Sequence, residues 1–172
     1  MFNTMSQKNV YNQEAIDKLK DLVNEIDVCM FCSAIDKGSL HTVPMSRQEV
    51  DDEGAIWFLL SAESDTCKNV MQDPAVQLLY AQVNDYNFVT VKGTASVSRD
   101  QERIDKYWNR FVEAWFEKGK EDPNIRVMKV TVDEAHYWDT KDSKFVTFLK
   151  LAASAVTGAK TDKGREGDIV IP

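Results

Sequence analysis

Ser61, Ser64, Thr66 and Lys68 follow one another at the end of the apolar run AIWFLL and at the head of a short helical stretch. Hydroxyls, one ammonium and the free N–H groups of a helix N-terminus suit a phosphate. That cluster is the first candidate for chemistry. The second is Cys29-Met30-Phe31-Cys32, which has the spacing of a redox pair or of half a metal site. It lies inside VCMFCSAI, a strand-like run, where residues three apart point to opposite faces. Two small apolar residues of a buried strand are therefore the simpler reading. With no second C-x-x-C, and with His41 and His136 as the only histidines, no zinc set is assembled. No Ser-His-Asp or Cys-His pairing stands at a suggestive spacing. Asp51-Asp52-Glu53 reads as a solvated turn.

The elements around these residues follow from periodicity. Asn12 caps a helix over residues 12–26, with Ala15, Ile16, Leu19, Leu22, Val23 and Ile26 on one face. Strands are predicted over 28–35 and 40–49, joined by Asp36-Lys37-Gly38-Ser39. Pro44 cannot donate to a ladder, so it belongs at an edge or an irregularity. A third strand covers 55–60, and Ser64 caps a helix ending near Gln72. Strands follow over 75–83 and 86–98, the latter carrying Gly93 as a bulge or a close backbone approach. Ser98 opens a helix that runs to about Phe116, and strands over 125–132 and 134–139 complete the set. A last amphipathic helix is read over 145–156, before a Lys-, Asp- and Gly-rich connection and a short apolar end, Ile169-Val170-Ile171.

Consecutive hairpins without β-α-β alternation exclude a doubly wound nucleotide-binding fold and point to an antiparallel barrel with appended helices. The chain of 172 residues is long enough for one domain with a sizeable core, plus a tail over 143–172. The net charge of −7 argues against nucleic acid and anionic membrane as partners. No apolar run approaches the roughly 20 residues that span a bilayer, and the N-terminus lacks the pattern of a signal peptide. A cytoplasmic protein is expected.

Taken in order, a further set of residues resembles the pyridoxamine 5′-phosphate oxidase-like flavoproteins, most closely their general stress protein branch. The set is Pro44-Met45, Asp52-Glu53-Gly54-Ala55-Ile56-Trp57-Phe58, Lys68, Asp73-Pro74, Val89-Thr90-Val91-Lys92-Gly93-Thr94-Ala95, Trp108, Trp115-Phe116, Gly119, Asp122-Pro123 and Glu134-Ala135-His136-Tyr137-Trp138-Asp139. The resemblance covers most of residues 12–140. It implies a mainly β (α+β) fold, an antiparallel split β-barrel with peripheral helices, occupying residues 1–142. It also implies a homodimer with a flavin at the interface, FMN above FAD, and an oxidoreductase acting on a small molecule.

Residue by residue, the resemblance assigns the ring edge to Val43, Pro44, Met45 and Ser46. It assigns the phosphate to Leu60, Ser61, Ser64 and Lys68. Trp115, Phe116 and Trp138 are the aromatics with which a partner subunit would close the site. Members of the family commonly carry Arg before the Pro-Met, and this chain has Val43. Arg47 shares a face with positions 43 and 45 unless a bulge intervenes, and is the nearest cation to take that place in part. In a flavoenzyme the cofactor carries the redox chemistry, so no residue is named as catalytic acid or base. The basic C-terminal substrate motif of pyridoxamine phosphate oxidation is not found. Two other readings stay open: a binding or sensing protein that holds a flavin or a phosphorylated ligand without turnover, and a dimeric interaction module without cofactor.

Overall fold

The computed structural model describes residues 6–7, 10–139 and 165–170. In chain order its strands are β1 Ser6–Gln7, β2 Val10–Tyr11, β3 Val28–Ser33, β4 His41–Val50, β5 Ile56–Ser61, β6 Ala75–Gln82, β7 Asn87–Ser98, β8 Ile125–Asp139 and β9 Arg165–Val170. The helices are α1 Asn12–Asn24, α2 Asp65–Gln72, α3 Gln101–Tyr107 and α4 Arg110–Glu113, with a 3-10 turn at Gly119–Glu121.

Alternation along the strands drives one face inward, and the barrel closes around it. The strand order is β8-β5-β4-β3-β6-β7, with β7 returning to β8, every neighbouring pair antiparallel. This is the expected mainly β split barrel. Its core joins Cys29, Phe31, Phe58, Leu78, Tyr80, Val89, Val91, Met128 and Tyr137. Phe31 and Phe58 meet edge to face with centroids 5.6 Å apart. The apolar stripe of α1 enters the same core through Ala15, Leu19, Leu22, Val23 and Ile26. On the other side of β5 and β8, α3 and α4 cover a second cluster of Trp57, Ile104, Tyr107, Val112, Phe116, Ile125 and Val127. Alternation in β5 thus sends Phe58 into the barrel and Trp57 beneath the helices.

Four expectations change. The strand expected over 28–35 stops at Ser33, because Ala34 takes a left-handed φ of 56°. The helix expected to run to Phe116 breaks after Tyr107. Trp108 is extended, and Asn109 accepts from the N–H groups of Phe111 and Val112 to start α4. Asp100, not Ser98, caps α3 by accepting from Arg103 N–H. The two strands expected on either side of Asp133 are one. Gly93 pairs with Val132 and Lys92 with Glu134, which leaves Asp133 as the extra residue of a bulge.

The end of the predicted tail lies in the sheet: β9 runs antiparallel to residues 135–139, and β1 and β2 pair with it in parallel. The helix read over 145–156 falls outside the described residues. Among the described residues, no helix is long and apolar enough to cross a membrane.

Candidate functional site

The ladder between β4 and β5 is short. Only Arg47–Val50 pair with β5, against Phe58, Trp57 and Ile56, while His41 to Ser46 pair with β3 alone. Leu59, Leu60 and Ser61 pair with β8 and not with β4. The two strands therefore part at Arg47, and the barrel is split there. Pro44 sits on the opened edge, where its missing N–H costs no ladder bond.

The residues assigned to the ring edge form one lip of this split. Val43 and Met45 face the interior and pack on the main core, opposite Phe31 and Cys29. Pro44 is exposed and Ser46 half-buried. What this lip offers a ligand is main chain freed from the ladder, together with the outward side chains. Position 43 is a core position here, which suits valine. Arg47 shares the inward face, because the bulge falls after it. One of its terminal nitrogens lies 3.5 Å from an Asp27 carboxylate oxygen, and its buried Nε has no partner among the described residues. Its charge is felt by Cys29 and Tyr80, whose acidity it favours.

The other lip is the end of β5 and the head of α2. Leu60 is buried in the core, so its side chain is not at the surface of this lip. Ser61 Oγ accepts from Glu63 N–H at 3.2 Å, which leaves its own proton free to donate. Ser64 caps α2: its hydroxyl accepts from Cys67 N–H at 3.2 Å and donates to the Ser61 carbonyl at 2.7 Å. Its donor is thus occupied in holding the turn. Lys68 is exposed, and its Nζ lies 3.5 Å from an Asp65 oxygen, a loose surface pair.

Sequence reasoning missed Arg126. It pairs with Leu60 across β5 and β8, and so stands beside the same lip. Its guanidinium donates to the carbonyls of Pro123 at 2.8 Å and Ile125 at 2.9 Å. Among the described residues it has no carboxylate partner. Burial raises the Cys67 thiol above its ordinary value, while Arg126 and Lys68 pull it down. Two cations therefore act on one stretch of α2. The only signal in the sequence was a charge inside an apolar strand, and the cross-strand pairing is what gives it meaning.

Two of the assigned aromatics remain. Trp115 is 74% exposed, past the end of α4. Trp138 sits twelve residues along β8 from Arg126, a separation of up to roughly 40 Å on an extended strand. Its ring meets His136 edge to face at 4.4 Å, and His136 Nδ1 lies 2.6 Å from Asp168. Phe116 is buried in the second cluster of its own chain. The three free cysteines are buried, and among the described residues no group of His, Cys, Asp and Glu could hold a metal.

Residues 14–162 match the family model described as pyridoxamine 5′-phosphate oxidase like. The chain belongs to that family. The oxidase-like barrel has solved relatives. A candidate general stress protein 26 from Jannaschia sp. CCS1 is 27% identical, superimposes with a TM-score of 0.76, and is matched over 90% of this chain and 96% of that one. A general stress FMN/FAD binding protein from Xanthomonas citri is 26% identical, with a TM-score of 0.64 over 77% of this chain and 93% of that one. Protein bli-3 of Neurospora crassa is 26% identical over 119 residues, 63% of this chain. The chain spans 57% of the length of that relative.

Proposed function

We propose that the chain is a homodimeric flavin-binding protein of general stress type, holding FMN in the split between β4 and β5 and using it as an oxidoreductase on a small molecule. The observation that carries this reading is the parting of β4 from β5 at Arg47, with Lys68 and Arg126 beside one lip. A dianionic phosphate fits that lip, because two cations and the Ser61 hydroxyl are there without a strong carboxylate partner. Main chain freed from the ladder on β4 suits the polar edge of a flavin ring. The likeness to the Xanthomonas citri FMN/FAD binding protein supports the same ligand class.

The reading takes the aromatics that close the site, Trp115 and Trp138, from a second copy of the chain, and Trp115 is exposed enough to serve one. An apolar strip on the outer face of β3 and β6 supports a second copy. Val28, Met30 and Leu79 are 46%, 42% and 38% exposed, and Met30 pairs with Leu79. Bound flavin supplies hydride or electron transfer. The residues named here bind it, orient it and tune its edge. Three cysteines left as free thiols suit a reducing compartment, in keeping with the cytoplasm.

The test is the visible spectrum of the purified protein, with mass spectrometry of the released ligand and titration of added FMN. A flavin spectrum and micromolar quenching of FMN fluorescence support the reading, and a colourless protein that quenches nothing overturns it. Lys68→Ala and Arg126→Ala should each weaken FMN more than riboflavin, and equal losses for both ligands refute the phosphate assignment. Bound flavin that neither NADH nor NADPH reduces favours a holder or sensor over an oxidoreductase.

A further inference from the structure

Only three polar or charged residues are buried among the described ones: Ser33, Thr66 and Asp122. Asp122 is accounted for by its own turn, where it accepts from Asn124 N–H at 2.9 Å. Ser33 and Thr66 belong together. Ser33 and His41 are cross-strand partners at the end of the β3–β4 ladder. Thr66 and Asn69 are three residues apart on α2, and so share a face. Asn69 Nδ2 donates to Ser33 Oγ at 3.3 Å, and His41 Nε2 lies 3.3 Å from Thr66 Oγ1. Two hydrogen bonds therefore join one rung of the ladder to one face of α2.

The placement of this double link matters. His41 starts the strand whose next residues, Val43 to Ser46, form the ring lip. Thr66 is two residues past Ser64, at the head that forms the phosphate lip. An apolar contact between helix and strand would hold equally well after a small slide. A pair of buried polar groups would lose its partners in the same slide, at the cost of unpaired donors and acceptors. We infer that Ser33–Asn69 and His41–Thr66 act as a clasp that sets the span between the two lips, which makes His41 and Thr66 positioning residues for a ligand gripped at both ends. The inference rests on the flavin reading above. FMN reaches both lips, whereas riboflavin has no phosphate and uses one.

The experiment measures FMN and riboflavin affinities, by fluorescence quenching, for the full chain and for Thr66→Val, His41→Ala and His41→Gln. Thr66→Val keeps the shape and removes the hydroxyl, and His41→Ala removes the more exposed partner, so at least one variant should fold. Each should weaken FMN by about five-fold, the scale of one hydrogen bond, and leave riboflavin within about two-fold. His41→Gln, which can still reach Thr66, should recover most of the FMN affinity. Equal losses for both ligands, or none for either, overturn the clasp while leaving the flavin reading intact. A wild-type chain that binds neither flavin overturns both.

Discussion

The α-carbon of Gly93 lies against the Thr131 carbonyl so closely that a Cβ built on it would stand 2.4 Å from that oxygen and 2.9 Å from Val130 Cγ1. The paired strands β7 and β8 close up at the Asp133 bulge, and only a residue without a side chain fits there. The obstacle is backbone, which cannot swing aside as a side chain tip can. Gly93→Ala should therefore cost roughly 1–3 kcal/mol or more, seen as a lower denaturant midpoint. A change below about 0.5 kcal/mol would show that the bulge has room to spare.

A second prediction concerns acid. Glu49, on β4, accepts from Lys106 Nζ at 2.7 and 2.8 Å and from Tyr107 Oη at 2.5 Å. Those donors hold its carboxyl below the ordinary range. A carboxyl lowered in the folded state stabilises fully above its ordinary unfolded value, and that stabilisation is lost as pH falls through the lowered one. The same cluster fixes α3 on the barrel, since the Arg103 guanidinium lies 3.5 Å above the Trp57 ring. Glu49→Gln should lose about 1 kcal/mol at neutral pH and little in acid, so that variant and wild type converge as pH drops below about 4. Parallel stability curves from pH 3 to 7 would remove Glu49 from the acid response.

How much of this was legible in sequence depended on the range of the interaction. The barrel was, because alternation in β6, β7 and β8 is local and repeats. Ser64 as a cap and Gly93 as a close approach were legible for the same reason. The break at Trp108 was not: Ile104, Tyr107, Phe111 and Val112 keep the helical period straight through it, and Asn109 looks like any polar residue on a helix face. The split was not readable from β4 or β5 alone, since it is a property of which strand pairs with which. Arg126 and the Ser33–His41 rung stayed hidden for that reason too.

The thiols give a third prediction. Cys29, Cys32 and Cys67 are 1%, 2% and 1% exposed. Burial pushes the Cys29 thiol up to about 12, although Tyr80 and Arg47 oppose the shift. A reagent must reach the sulfur, and burial bars it from all three, so none should react with a disulfide reagent in native protein at pH 8, and all should react after denaturation. Even one thiol titrating within minutes in the native state would show an opening that the fold does not.

The last prediction tests the second copy. Met30 and Leu79 face one another across β3 and β6 on the outer side of the barrel, both more than a third exposed. An exposed site tolerates substitution, so Met30→Asp should change the stability of an isolated chain by no more than about 0.5 kcal/mol. In a dimer that buries this strip, the same carboxylate would be desolvated without a partner, at a cost of several kcal/mol. Size-exclusion with light scattering should therefore show wild type as a dimer and Met30→Asp as a monomer with an unchanged circular dichroism spectrum. If the flavin is closed in by the partner's aromatics, the monomer also loses FMN affinity by at least ten-fold, about 1.4 kcal/mol. A variant that stays dimeric and keeps FMN would move the interface to another face, and with it the assignment of Trp115 and Trp138.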